Sequence, residues 1–217
     1  MKKGLTELVM ILDRSGSMSG LEEDTIGGYN AMLKKQEKQE GEVLVSTVLF
    51  DHLTEVLHDR VPLSEIKPIT GEEYYVRGNT ALLDALGGAI HHIGNIHKYA
   101  REEDVPEKTI FVITTDGMEN SSRRYSYDKV KAMVEREKEK YGWEFLFLGA
   151  NMDAISVAGK MGISADRSAN YMNDSVSTRL NYEVLGETVC AMRMADAKVG
   201  AGWKSKIDEL FQRKNAK

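Results

Sequence analysis

Apolar runs and amphipathic stretches alternate along the chain. Mostly apolar runs predict buried strands over 6–13, 42–51, 53–61, 108–117 and 143–150. Apolar positions spaced three or four residues apart predict helices over 21–40, 80–100, 126–142, 152–162 and 182–199. The runs at 42–51 and 53–61 are close enough to form a hairpin. The pattern therefore predicts an α/β fold with a mostly parallel sheet, one antiparallel edge strand and helices on both faces.

The last third of the chain has a weaker pattern. Residues 163–181 are polar and predict at most a short edge strand. A small amphipathic helix follows the break at 200–202, and its apolar stripe has two possible roles, packing on its own domain or docking a partner. That stripe consists of Trp203, Ile207, Leu210 and Phe211. We therefore predict one α/β domain over 1–200 and an amphipathic helical tail over 201–217.

Composition and charge narrow the class of partner and the compartment. The 217 residues are 41% hydrophobic and 29% charged, and the formal net charge of -5 gives no reason to expect a nucleic-acid partner. No apolar run approaches the roughly 20 residues that a membrane span needs. The single cysteine, Cys190, excludes an internal disulfide and fits a reducing compartment. These properties predict a cytoplasmic protein without nucleic-acid or membrane partners.

Oxygen-bearing side chains cluster where predicted strands end. Asp13, Ser15 and Ser17 alternate after the first strand, Asp116 follows the strand at 108–115, and Thr80 precedes a helix. In open α/β sheets, ligands bind beyond the carboxyl ends of the strands, so these three loops are expected to meet in one pocket. Two carboxylates and three hydroxyls suit a hard divalent cation such as Mg²⁺. Taken alone, the stretch 13–19 also suits a turn whose Ser19 or Asp13 caps the first helix.

The five residues, in this order, resemble the metal-ion-dependent adhesion site (MIDAS) of von Willebrand factor type A (vWA) domains. The segments "GNTALLDAL" around Thr80 and "TTDGMEN" around Asp116 resemble two further loops of that family. The segment "GGYNAML" is similar to stand-alone intracellular members from bacteria and phages. The resemblance covers roughly residues 5–200, so the predicted domain is vWA-like.

The resemblance implies a doubly wound, Rossmann-like sheet of about six strands, with a Mg²⁺, Mn²⁺ or Ca²⁺ ion above it. Ser15, Ser17 and Thr80 would contact the metal directly, while Asp13 and Asp116 would often act through water. The remaining coordination position would accept an Asp or Glu carboxylate of a protein partner. The implied function is a metal-ion-dependent protein-binding module that is not an enzyme.

Two alternatives use the same site differently. A metal-dependent hydrolase or phosphatase is compatible with clustered carboxylates, but "DRSGS" lacks the second aspartate of a D-x-D phosphatase loop. The segment "GSMSG" has Met18 rather than serine at its centre, so it is not a nucleophile elbow. A structural scaffold with a vestigial metal site is the other alternative.

Further predictions concern residues near the motif and the histidines. Arg14 is expected to contact solvent or a partner, and Asp84 to accept hydrogen bonds from backbone groups. Glu119 and Asn120 are expected to be solvated loop residues. No histidine pair has the spacing of a zinc site, so His97 and the adjacent His91 and His92 are expected to serve in packing or at the surface.

Overall fold

The computed structural model of the chain describes residues 1–194 and 199–216. A six-stranded sheet lies at its centre, in the order β3-β2-β1-β4-β5-β6. All neighbouring strands are parallel except the β2–β3 pair, which is antiparallel at one edge. The predicted α/β architecture is therefore confirmed. The strands are β1 Lys2–Asp13, β2 Glu42–Phe50, β3 Thr54–Pro62, β4 Pro106–Thr115, β5 Glu144–Ala150 and β6 Ser168–Tyr171.

Helices cover both faces of the sheet, which explains the apolar runs of the central strands, Leu8–Leu12 in β1 and Ile110–Ile113 in β4. Leu8, Met10 and Leu12 of β1 face one layer of helices, while Val9 and Ile11 face the other. The first layer consists of α1 Glu22–Gln36, α5 Ser175–Met194 and α6 Ser205–Asn215. The second consists of α2 Leu82–Tyr99, α3 Tyr127–Tyr141 and α4 Ala154–Lys160. In the described part of the chain, no helix has the length and apolarity needed to cross a bilayer.

Helix α5 begins seven residues before the predicted start at 182. Asp174 precedes it, and its carboxylate accepts a hydrogen bond from the backbone N–H of Ser177 at 3.0 Å. Ser177, Thr178 and Asn181 are buried on the inward side of the first turns. Because these buried residues are polar, the hydrophobic period starts late. The predicted helix also extended through 195–198, which lie outside the described residues.

The tail helix α6 packs on its own domain. Ile207 is 2% exposed and belongs to the core of the α1 and α5 layer. The indole N–H of Trp203 donates to the carbonyl of Asp166 at 2.7 Å. Of the two roles considered for the tail stripe, these contacts favour packing, while the division of the chain at residue 200 stays a prediction.

The α1–α5 contact depends on a glycine. A Cβ added at Gly28 would lie 2.4 Å from Cδ2 of the buried Tyr182, whereas one added at Gly27 would meet nothing within 4 Å. We expect Gly28→Ala to lower the free energy of unfolding by about 2 kcal/mol, because the two helices must separate. Gly27→Ala, the matched control, should raise it by up to ~1 kcal/mol through helix propensity. Urea denaturation measures both, and equal effects of the two substitutions would contradict this account.

Candidate metal centre

The fold brings all five predicted site residues together beyond the carboxyl ends of the central strands β1 and β4. Strand β1 ends at Asp13 and the neighbouring β4 ends at Thr115, directly before Asp116. Thr80 lies in the loop that enters α2. Asp13, Ser15, Thr80 and Asp116 are each at most 3% exposed, while Ser17 is exposed. The site is therefore a buried cluster that opens to solvent on the side of Ser17.

Backbone hydrogen bonds join the three loops of the site. The N–H of Gly16 donates to the carbonyl of Gly78 at 3.0 Å, and the N–H of Asn120 donates to the carbonyl of Thr80 at 3.0 Å. The side-chain oxygen of Asn120 accepts from the N–H of Thr80 at 3.0 Å. Gly78 has φ of 66° and a Cβ there would lie 2.1 Å from Nδ1 of His52, so this position requires glycine.

The three hydroxyls converge on one point. The Oγ atoms of Ser15 and Ser17 are 3.1 Å apart. A Cβ added at Gly117 would lie 2.8 Å from Oγ1 of Thr80, 3.1 Å from Oγ of Ser17 and 3.8 Å from Oγ of Ser15. The absence of a side chain at Gly117 therefore leaves a space that three hydroxyl oxygens surround.

The two carboxylates share this space with few compensating donors. Asp13 accepts hydrogen bonds from the N–H of Ser15 at 2.7 Å and the hydroxyl of Thr115 at 2.5 Å. Burial nevertheless raises the pKa of Asp13 above its ordinary value. Burial, reinforced by the charge of Asp13, raises the pKa of Asp116 to about 6, although the Ser17 hydroxyl donates to it at 2.5 Å. Within the described part of the chain, neither carboxylate forms an ion pair with a Lys, Arg or His side chain.

This donor set fits a divalent cation bound largely through hydroxyls. In octahedral Mg²⁺ coordination at about 2.1 Å, adjacent ligand oxygens are about 3.0 Å apart, and the Ser15–Ser17 separation of 3.1 Å is close to that value. The described residues include no cluster of three or more His, Cys, Asp or Glu side chains suited to a metal. Ser15, Ser17 and Thr80 would therefore supply oxygens that the two aspartates alone cannot.

Arg14 does not behave as expected. It is fully buried, and its Nε donates to Asp51 at 3.0 Å while its Nη2 donates to Glu55 at 2.6 Å. Arg77 donates to the same Asp51 oxygen at 2.7 Å. The expectation of solvent or partner contact was wrong because two acidic residues of the β2–β3 hairpin, far away in sequence, draw Arg14 into the protein.

The loop after β4 is hydrogen-bonded to α2 and is also partly solvated: Asn120 is exposed, as expected, whereas Glu119 is half-buried. Glu119 accepts from the N–H of Leu83 at 2.8 Å, and Asn120 holds Thr80 as described above. The helix has no side-chain cap of its own, so the loop supplies acceptors for its free N–H groups. The expectation for Asp84 is confirmed, since its carboxylate accepts from three consecutive N–H groups at 123–125.

Asn173 is a site residue that the sequence analysis missed. Its side-chain N–H₂ donates to Oδ2 of Asp116 at 2.9 Å, and its own Oδ1 is buried without a hydrogen-bond partner among the described residues. It lies between β6 and α5, 57 residues beyond Asp116. No local pattern in the sequence identifies it, because only the packing of α5 brings it to the site.

Solved structures of similar fold are vWA domains. The vWA domain protein from Catenulispora acidiphila is 12% identical with a TM-score of 0.59, over 88% of this chain and 43% of that one. The domain of the pilus tip protein Mfa5 from Porphyromonas gingivalis is 11% identical with a TM-score of 0.60, over 89% of this chain and 97% of that one. Proximal thread matrix protein 1 of the mussel byssus, solved with a zinc-occupied MIDAS motif, is 16% identical with a TM-score of 0.60, over 87% of this chain and 46% of that one. The chain thus has the fold of a vWA domain and spans less than half of the byssus protein.

The sequence itself places the chain in a family. Residues 2–142 match the family described as VWA domain containing CoxE-like protein, and the chain belongs to this family. No curated protein matches it.

Filling the space at Gly117 tests the cluster without altering any of the five side chains. We expect Gly117→Ala to abolish stabilisation by Mg²⁺ or Mn²⁺, because its Cβ would contact Thr80 and Ser17. In the unsubstituted protein, free metal at about 100 times Kd should stabilise the fold by about 2.7 kcal/mol. Thermal unfolding of chelator-stripped protein with and without metal measures this. The control is Met118→Ala at the exposed neighbouring position, and equal metal responses in the two variants would rule out the proposed position of the ion.

Removing one charge should stabilise the metal-free protein. We expect Asp116→Asn to raise its free energy of unfolding by about 1 kcal/mol, because repulsion from Asp13 disappears. The unpartnered Oδ1 of Asn173 can turn to accept from the new amide. The same variant should lose its metal response. Urea denaturation and metal titration by calorimetry measure the two effects, with exposed Asp128→Asn as control. Destabilisation of the metal-free protein would contradict the electrostatic argument.

Proposed function

We propose that this protein is a metal-ion-dependent protein-binding module that shares a divalent cation with an acidic side chain of a partner protein. The observation that carries the proposal is the buried oxygen cluster, in which Asp13 and Asp116 lack any cationic partner among the described residues. Such uncompensated negative charge beside three hydroxyls is suited to Mg²⁺, Mn²⁺ or Ca²⁺. The proposed role is binding rather than catalysis.

The neutral and the charged residues of the site would have different roles. Ser15, Ser17 and Thr80 are neutral and would hold the cation directly, while Asp13 and Asp116 would orient water or hydroxyl groups around it. The bound cation would supply a positive charge that neutral ligands leave largely uncompensated and that attracts an external carboxylate. Ser17 is the exposed member of the set, so the partner would approach from its side.

The surface around the opening also suits a protein partner. Three large apolar side chains of loops near this edge are exposed, namely Leu53 at 55%, Tyr75 at 43% and Met118 at 63%. Exposed apolar groups of this kind next to a polar centre are typical of interaction surfaces. The acidic net charge of -5 favours a protein over a nucleic acid. A cytoplasmic location is part of the proposal and agrees with the free thiol of Cys190.

The decisive variant removes one hydroxyl and keeps the side-chain shape. We expect Thr80→Val to abolish metal-dependent capture of the partner, because the hydroxyl is lost while the three backbone hydrogen bonds of residue 80, to Asn120 and Ser121, remain. The control is Thr178→Val, which removes a buried hydroxyl that has no partner among the described residues. Capture is measured by pull-down on each immobilised variant, in Mg²⁺ and in chelator.

A second test changes the acidic side chains of the partner. Once a captured protein is identified, each acidic side chain at its contact surface is changed to the corresponding amide. We expect one such change to reduce affinity at least about tenfold, the effect of losing a charge-assisted contact. Capture that persists in chelator, in Thr80→Val and with every amide variant would overturn the proposal.

A further inference from the structure

A cavity lies at the amino end of β4, whereas the candidate metal centre lies at its carboxyl end. Its volume is about 740 Å³, and it is bounded by α2, α3, the beginning of β4 and Trp143, directly before β5. Pro106 lies at the first position of β4 and Thr115 at the last, so the length of a whole strand, about 30 Å, separates the two regions. The cavity size is in the range of about 300–1,000 Å³ typical of small-molecule sites.

Two mostly buried residues with polar groups, Glu137 and Trp143, line the floor of this cavity. Glu137 is 5% exposed, and among the described residues its carboxylate has no hydrogen-bond donor; the guanidinium of Arg136 is 3.8 Å away. Burial raises the pKa of Glu137. Trp143 is 3% exposed and stacks on Phe111 with ring centroids 5.3 Å apart, and its indole N–H has no partner within the described ranges. Neither group is among the fully buried side-chain atoms without a partner, so both are accessible from the cavity and can bond to a molecule that enters it.

A glycine makes room beside both groups. A Cβ added at Gly94 of α2 would lie 3.9 Å from Oε1 of Glu137 and 3.9 Å from Cη2 of Trp143. Any larger side chain at this position would project between them. The carboxylate and the aromatic edge therefore face the same open space.

The rim of the cavity is mostly cationic. Lys98, Lys129, Arg136 and Lys140 line the cavity together with two acids, Glu102 and Glu137, and Arg136 is paired with Glu137 at 3.8 Å. Lys98 and Lys140 form no ion pair with a carboxylate of the described residues, and Lys98 lies over the ring of Tyr99 instead. The mouth is thus suited to an anionic group, while the floor offers an acceptor for a donor group.

We propose that this cavity binds an amphipathic organic anion whose buried end carries a hydrogen-bond donor. The acidic head would lie near Lys98 and Lys140, and the donor would bond to Glu137. The body of the molecule would pack on the apolar wall formed by Ile90, Met133 and Trp143. This site does not depend on the proposed metal-dependent function.

Two matched probes test the site. The first is 6-aminonaphthalene-2-sulfonate, an apolar anion with an amine at its far end, and the second is naphthalene-2-sulfonate, which lacks the amine. We expect both to bind the full chain in calorimetric titration, with the amine-bearing probe about tenfold tighter because it alone donates to Glu137. Glu137→Met should remove that preference, and the exposed neighbour Glu139→Met should keep it.

The cavity itself is tested by filling it. Gly94→Leu should abolish binding of both probes, whereas Gly88→Leu, at a position of the same helix whose added Cβ meets nothing within 4 Å, should not. Lys140→Glu should weaken both probes by about the same factor, whereas exposed Lys38→Glu should leave them unchanged. Gly117→Ala should bind the probes like the unsubstituted protein, which separates this site from the metal centre.

The proposal is overturned if neither probe binds at millimolar concentration, or if Gly94→Leu binds them as the unsubstituted protein does. Circular dichroism establishes that each variant is folded. If Gly94→Leu does not fold, the Glu137→Met comparison decides the question. An amine preference that survives in Glu137→Met would then overturn it.

Discussion

The proximity of two buried carboxylates is the constraint on which the rest of this structure depends. Asp13 and Asp116 lie at the ends of neighbouring parallel strands, and within the described chain no cationic side chain pairs with either. Such an arrangement costs folding free energy, because burial and mutual repulsion disfavour the charged forms. Neutral donors reduce this cost without removing the charge: the N–H of Ser15 and the hydroxyls of Thr115 and Ser17 all point at these carboxylates. The result is a cluster that remains suited to an external cation.

Two arginines that flank the site in sequence are paired with other acids. Arg14 directly follows Asp13, yet its guanidinium bonds to Asp51 and Glu55, and Arg77 bonds to the same Asp51. Bonds from these arginines and from the N–H of Leu53 keep the pKa of Asp51 below its ordinary value although burial opposes this. Because each arginine is committed to an acid of the hairpin, neither neutralises the candidate metal centre. The negative charge of Asp13 and Asp116 therefore stays available for a cation, although Arg14 directly follows Asp13.

The fold separates two chemically different regions along the strands. At the carboxyl edge, loops carry hydroxyls and carboxylates and are joined to one another by backbone hydrogen bonds. At the amino ends, α2 and α3 bound a cavity lined by Trp143, by the carboxylate of Glu137 and by several cationic side chains. The two regions therefore differ in the chemistry of ligand to which each is suited.

The sequence by itself determined the architecture and the composition of the candidate site. Uninterrupted apolar strands require a sheet covered on both faces, and parallel strands bring Asp13 and Asp116 to one edge whatever the details of packing. Only the tertiary structure decided the burial of Arg14, the contact of Asn173 with Asp116 and the early start of α5. It also decided the cavity beside Glu137. The burial of Arg14 and the contact of Asn173 depend on partners tens of residues away, at separations of 37 residues from Asp51 and 57 residues from Asp116. Local patterns encode periodicity and turns, whereas such pairings arise only when packed elements meet.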